Sequence, residues 1–463
     1  AFLGHEDPGV RRACLVALGQ LGPEIHLQLT ELLTSDVSED RAVAAGAVGD
    51  LGLEELMAEV ADVVEDHQAR PAALEALAQL GRPAVIAMSA LLDRRELPLP
   101  TRRSVITALS NIDGHEARDA LLKLVEEPAL GPAALTSLRR MRAAGKIEAI
   151  DPIRLQRVLN HEMQGGLRYS LVASALRKDT SGPRNAFVAE ELEGLRIRSV
   201  LRVLRILSLS YDPARLATVA SAILSEGSAG RSNALELLEG TISSESGGAV
   251  MPFMEVIADD FAIDRVADLL PDAPDLLVDP GETLAHEADW WPRALGLHVL
   301  GRDDEIRPPG RRKDSETEEE RMIPLIEKVM ILKGSQLFQN FPGPDLAGIA
   351  SLAEVVHLQG DEIVFEQGEQ GDAFYMVVRG GIRITRGTTE LALLGSREGF
   401  GEMAILDHET RSATATAAEA TTLLRIDQDS FDRLIEQNPA VARGIYRVLT
   451  QRLRNTLAQL AAG

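Results

Sequence analysis

Aromatic residues make up only 3% of this 463-residue chain, and cysteine is nearly missing, with Cys14 alone. A single cysteine excludes a disulfide within the chain and fits a reducing compartment. Cys14 sits in an apolar helical run without an electropositive setting, which marks a buried structural thiol rather than a nucleophile. No apolar run reaches the ~20 residues needed to span a bilayer, and no charged-apolar-small secretory leader opens the chain. A soluble, cytoplasmic chain is therefore expected. Kinase motifs are missing, and no helix-turn-helix lies ahead of Gly463. The net charge of −23 argues against nucleic acid or an anionic membrane as a direct partner.

What is present instead is length enough for two or three domains, and much Ala and Leu suited to packing helices closely. The run Arg11-Arg12-Ala13-Cys14-Leu15-Val16-Ala17-Leu18-Gly19-Gln20-Leu21-Gly22 recurs, beginning again at Arg41 and at Arg70. Gly22, Gly52 and Gly81 fall 30 and 29 residues apart, and Leu18, Val48, Leu77 and Leu109 keep a similar beat. One Ala/Leu helix per unit with Gly or Pro at the turns is the period of an α-solenoid. The units resemble short HEAT-type repeats, whose ordinary role is a scaffold or docking surface. Divergent units are expected through Arg139 and near residues 170–177, 200–208, 233–239 and 293–300.

His5-Glu6, His115-Glu116, His161-Glu162 and His286-Glu287 are similar to the paired iron ligands of deoxyhypusine hydroxylase, itself a HEAT-type family. Here they stand at unequal offsets from the Leu-Gly landmark, so equivalent faces do not bring them together, and no metal site is expected. Trp290-Trp291 is read as packing near the end of the solenoid.

Residues 400–417, FGEMAILDHETRSATATA, carry the chemistry. Glu402 follows Phe400-Gly401 and opens a short apolar helix from Met403 through Ala404 to Leu406, whose unpaired N–H groups suit an anion. Arg411, nine residues on, begins the alternating run Arg411-Ser412-Ala413-Thr414-Ala415-Thr416-Ala417, which reads as a strand. A guanidinium can donate two parallel hydrogen bonds to phosphate oxygens, so Arg411 is a phosphate clamp. A carboxylate beside phosphate is repulsive unless it accepts a proton from another ligand group, and a ribose 2′-hydroxyl gives Glu402 that role.

In register and spacing, Phe400, Gly401, Glu402, Ala404, Leu406, Arg411, Ala413 and Thr414 resemble the phosphate-binding cassette of the cyclic nucleotide-binding domain family. Thr410 departs from the family's usual Pro. The resemblance extends upstream through Gly360-Asp361-Glu362-Ile363-Val364-Phe365, Gln367-Gly368-Glu369-Gln370-Gly371-Asp372 and Phe374 to Gly381, short β-rich runs with Gly and Asp turns. It implies an antiparallel jelly roll with a ligand site at Phe400, Gly401, Glu402, Met403, Ala404, Arg411, Ser412 and Ala413. It also implies a regulatory rather than catalytic role, with Ser412 favouring cyclic AMP over cyclic GMP.

Residues 302–321 combine Pro-Pro-Gly with dense mixed charge and read as a mobile linker. Beyond it, Ile323, Ile326, Val329 and Met330 share one face of a helical lead-in. Near the end, Tyr446, Leu449, Leu453, Thr456 and Leu460 form a seam that could cover a bound base, pair two copies or pack on the solenoid. The expected organisation is an α-solenoid of HEAT-like repeats over 1–301, the linker over 302–321, and a β-roll cyclic nucleotide-binding domain with flanking helices over 322–463. This order resembles the cytosolic region of bacterial transporter-like membrane proteins. That likeness implies a transporter domain, in the same polypeptide or docked on the repeats, as partner. A start at Ala1 inside repeat-like sequence fits either a piece of such a protein or loss of the first methionine.

Overall fold

The computed structural model describes residues 5–20, 22, 25–179, 183–223, 228–258, 263–270, 272–308, 323–335, 338–339, 341–401, 410–429, 431–432, 446 and 450. Contacts divide the chain into two units. One comprises Ala1–Ser170 with Leu195–Pro271, the other Leu171–Gly194 with Asp272–Gly463.

The first unit is helical. Helices α1 (Pro8–Gly19), α3 (Ser38–Leu51), α5 (Arg70–Leu80), α7 (Leu99–Leu109) and α9 (Gly131–Ala143) pack each on the next. Helices α2 (Ile25–Leu33), α4 (Met57–Val63), α6 (Ala84–Asp93) and α8 (His115–Leu124) form a second row in the same way. Small residues set the spacing of the first row. A Cβ on Gly49 of α3 would lie 2.8 Å from the Ala76 Cα of α5, so backbone approaches backbone as only glycine permits.

Arginines near the starts of α3, α5 and α7 reach back to the end of the helix before. Arg41 donates to the Ser35 carbonyl and to Asp66, Arg70 Nε to Val64 O at 2.9 Å, and Arg102 Nε to Leu92 O at 2.9 Å. Carbonyls left open at a helix C-terminus are thereby satisfied by a cation, which the helix dipole also favours there. Gly52 closes α3 in the left-handed conformation, φ 67°, the usual helix stop. The hydrophobic beat is buried at Val48, Leu77 and Leu109, while Leu18 in the first unit is 40% exposed. Cys14, expected to be buried, is half-buried.

The short-helix rhythm ends at α10 (Pro152–Lys178) and α11 (Pro183–Leu207), 27 and 25 residues long. The candidate repeats near 170–177 and 200–208 are parts of these two helices. After them come α12 (Pro213–Ile223), α13 (Ser228–Glu239), α14 (Ser244–Ala258) and α15 (Ile263–Leu269).

The second unit adds α16 (Ala273–Leu276), α17 (Pro280–Ala285), α18 (Trp290–Val299), α19 (Leu325–Lys333) and α20 (Gly343–Ala350). Trp291 is fully buried and meets Trp290 edge to face, ring centroids 5.4 Å apart. Of the charged stretch, residues 302–308 are described: Arg302 pairs with Glu305 and Glu282, Ile306 is buried, and 309–321 lie outside. On α19 the buried face is Ile326, Val329 and Leu332 with Lys328. Met330 and Ile323, expected on that face, are only half-buried.

Among the described residues, eight strands then form two antiparallel sheets. They are β1 (Glu354–Leu358), β2 (Ile363–Phe365), β3 (Ala373–Arg379), β4 (Ile382–Arg386), β5 (Thr389–Leu394), β6 (Gly399–Phe400), β7 (Thr414–Ala417) and β8 (Thr421–Asp427). One sheet runs β1-β8-β3-β6 and the other β2-β7-β4-β5. Alternation in β7 turns Ala415 and Ala417 inward and leaves Thr414 and Thr416 half-exposed, as period-2 patterning requires. The inner faces meet around Tyr375, Val377, Ile382, Phe400 and Leu423. Of the C-terminal seam, Tyr446 is 68% exposed; Leu449, Leu453, Thr456 and Leu460 lie outside the described residues. Among the described residues no helix is long and apolar enough to cross a membrane, and no cluster of candidate metal ligands occurs.

Candidate functional site

Arg411 stands just ahead of β7 with its side chain turned inward, 5% exposed as a residue. Its backbone is fixed first, by Arg411 N–H to Glu369 O and Gly368 N–H to Arg411 O, both 2.8 Å. These bonds join the turn before β3 to the approach to β7, so the Gly-rich loop and the arginine arrive together. The adjoining Thr410 pairs with Gln370 in an isolated bridge.

The guanidinium then meets three oxygens. Nη2 donates to Ala373 O at 2.9 Å and to Asp372 Oδ1 at 3.3 Å, and Nη1 donates to Gly401 O at 3.3 Å. Its plane lies over Phe365, 4.0 Å from the ring centroid, a cation–π contact strengthened by the dry setting. Phe365, Tyr375 and Phe400 form one aromatic cluster with centroids 5.3 to 5.9 Å apart. A chain poor in aromatics therefore gathers three of them in one cluster, two of which face the Arg411 cation. Burial pushes the Arg411 guanidinium below its ordinary value, against the pull of Tyr375, Asp372 and Glu369. The buried Nε–H has no hydrogen-bond partner among the described residues. A buried donor left open costs free energy unless something accepts from it.

Gly401 shows why this position is glycine. Its φ is +76°, and a Cβ there would stand 2.6 Å from Arg411 Nη1. A side chain would force a left-handed residue and push the guanidinium aside.

Asp372 is the partner that reading the chain by motif missed. Its Oδ1 meets Arg411 and its Oδ2 meets Arg425 Nη2 at 3.2 Å. Arg425 also pairs with Glu354 at 3.1 Å. Burial alone would lower the Arg425 guanidinium, but the Tyr375 hydroxyl, Asp372 and Glu354 outweigh it and hold the value raised. Asp372 was visible in the sequence only as the last residue of a turn.

Of the expected site residues, Phe400, Gly401 and Arg411 are brought together. Ala413 is buried beneath β7, and Ser412 is exposed with its carbonyl accepting from Arg386 Nε at 3.3 Å. Glu402, Met403 and Ala404 lie in residues 402–409, outside the described residues. The site can chemically hold an anion against a buried, preorganised guanidinium whose Nε–H has no partner among the described residues.

Residues 355–438 match the family described as Cyclic nucleotide-binding domain. The Cyclic AMP receptor protein of Thermus thermophilus is 38% identical over 135 residues, which cover 28% of this chain and 62% of that protein. The CRP-like cAMP-activated global transcriptional regulator of Mycobacterium tuberculosis is 29% identical over 136 residues, 28% of this chain and 61% of that protein. The cGMP-dependent protein kinase egl-4 of Caenorhabditis elegans is 32% identical over 106 residues, 21% of this chain and 14% of that protein. The chain spans about three fifths of the first two relatives' lengths. Its C-terminal part is a cyclic nucleotide-binding domain, preceded by a helical region. Domains of this kind are regulatory and non-catalytic.

Proposed function

We propose that this chain is a non-catalytic regulatory region that binds a cyclic nucleotide, cyclic AMP in preference to cyclic GMP, in its C-terminal β-roll. Arg411 carries the reading: a buried guanidinium with an open Nε–H, set on an aromatic floor beside Gly401 and within the residues that match the family. Ser412 and the cyclic AMP named in the first two relatives support cyclic AMP; the cyclic GMP-dependent relative makes cyclic GMP the competitor to test. Glu402 is assigned to the ribose hydroxyl, and Met403 and Ala404 to the phosphate-side helix start.

The ligand's effect is relayed to the helical region, read as a HEAT-type solenoid over 1–301, and through it to a transporter domain in the same polypeptide or docked on the repeats. The two-row stacking of α1 to α9 supports the solenoid. Such a relay needs unequal affinity for two arrangements, and moving from mostly one to mostly the other takes about 5.5 kcal/mol.

A second reading is a structural adaptor with an inert β-roll, favoured by the fact that Asp372 and two carbonyls already engage Arg411. Calorimetry and thermal melting of the chain with each nucleotide separate the two. A ligand that binds the folded state must raise the melting temperature, and cyclic AMP should do so at lower concentration than cyclic GMP. No heat and no shift with either would leave the adaptor, and tighter cyclic GMP binding would reverse the choice of ligand.

A further inference from the structure

Four helices meet at one buried acid of the second unit. Glu191 on α11 is 4% exposed. Its Oε1 is ion-paired with Lys333 Nζ at the end of α19, and its Oε2 accepts the indole N–H of Trp291 on α18 at 3.3 Å. The Lys333 ammonium also lies 6.0 Å from the Phe187 ring centroid. Gly343, which starts α20, fits against the same acid only because it has no side chain. A Cβ there would collide with Glu191 Oε2 and the Trp291 ring.

The next residue after Lys333 touches the β-roll. A Cβ on Gly334 would stand 2.6 Å from Arg397 Cβ, and Arg397 N–H donates to Val377 O of β3 at 2.8 Å. That same strand begins at Ala373, whose carbonyl holds Arg411. Arg411 and Glu191 are thus the two ends of a continuous run of bonded and packed groups.

We propose that the Glu191–Lys333 ion pair is a latch that couples occupancy of the Arg411 site to the helices around Trp291. The proposal rests on the nucleotide-binding reading above. Its physical basis is the burial of Glu191. With Lys333 withdrawn, the carboxylate is an uncompensated buried charge, so the junction favours two arrangements, closed on the pair or open with water at the acid. A ligand that prefers one arrangement shifts the latch, and by linkage the latch shifts ligand affinity equally. Lys333 and Glu191 act here as positioning residues.

The test is cyclic AMP titration of the full chain by calorimetry, with tryptophan emission followed in parallel. Lys333→Met, which removes the cation and keeps the apolar stem, should change Kd by about fivefold or more and abolish the nucleotide-induced change in emission. Lys333→Arg should restore both. The double variant Glu191→Gln/Lys333→Met leaves no unpaired buried charge, so it keeps the test open even where the single variant fails to fold; it should bind but give no emission change. Wild-type Kd and emission response in Lys333→Met, or in the double variant where the single one does not fold, would overturn the latch alone. A wild-type chain that binds neither cyclic AMP nor cyclic GMP would remove the nucleotide reading and the latch with it.

Discussion

Replacing Arg411 is the sharpest perturbation of the proposed site. A guanidinium has five N–H donors, and three of them go to Gly401, Asp372 and Ala373. The Nε–H is open among the described residues, and a phosphate that displaces the Asp372 carboxylate from Nη2 gains a second donor. Hydrogen bonds between charged partners contribute about 1.5–3 kcal/mol each, so losing two at the lower figure costs about 3 kcal/mol, roughly a hundredfold in Kd. Arg411→Ala should therefore weaken cyclic AMP binding by about two orders of magnitude in calorimetry. Arg411→Lys keeps the charge and loses the fork, and should recover about one of the two contacts, leaving a deficit near tenfold. Arg383, on the outer face of its sheet and paired with Glu390 at 3.4 Å, supplies the control, since Arg383→Ala removes a surface cation without touching the pocket. Circular dichroism and melting without ligand confirm that each roll is intact. A Kd for Arg411→Ala within about threefold of wild type would refute the assignment of the anion to this guanidinium.

Three further outcomes are expected. Gly401→Ala should weaken the same binding by about tenfold or more, because a left-handed alanine costs about 1–2 kcal/mol and its Cβ would stand 2.6 Å from Arg411 Nη1; unchanged affinity by calorimetry would refute this. The Asp66 carboxyl is raised by burial, but hydrogen bonds from Arg41, Ser38 and the Gln68 N–H outweigh that and hold it at about 2, below its ordinary 3.8. Its folded value lies below its unfolded one, so its stabilisation is present above about pH 4 and is lost as pH falls through about 2. In urea melts the stability gap between wild type and Asp66→Asn should narrow over that window and stay constant above it. Gly49→Val inserts a branched side chain where a Cβ already stands 2.8 Å from Ala76 Cα, and should cost about 1–3 kcal/mol of helical-unit stability by denaturant unfolding.

The part of the site that could be read from sequence is the part built from neighbours in sequence. Phe400, Gly401 and Arg411 belong to one short cassette whose spacing is itself the signal. Asp372, Phe365 and Tyr375 lie in the upstream runs that share the resemblance, but they reach Arg411 only through strand register, which no local pattern reveals. The repeats divide in the same way. Gly52 and Gly81 were legible as helix stops because both take φ near +70°. Gly165-Gly166, by contrast, lies inside α10. There Gly166 makes room for its neighbours: a Cβ would stand 3.0 Å from Ser199 Cβ and 3.2 Å from Phe253. Glycine therefore ends helices at some positions and serves packing at others. Glu191, Trp291 and Lys333 were out of reach for the simplest reason, being 100 and 142 residues apart.

A chain of net charge −23 that takes an anionic ligand requires an account of why repulsion does not win. At physiological ionic strength the screening length is about 8 Å, so most of the surface carboxylates act weakly at the site. What remains is local, and it does not favour an anion: Arg411 and Arg425 face Asp372 and Glu354 at 3.1 to 3.3 Å, and Glu369 also acts on Arg411. Long-range attraction therefore cannot supply the affinity. It has to come from a guanidinium held in place before the ligand arrives, in a setting dry enough to strengthen each hydrogen bond. The sub-normal value at Arg411 has the same origin, because the burial that disfavours the isolated cation is the burial that makes its contact with an anion strong.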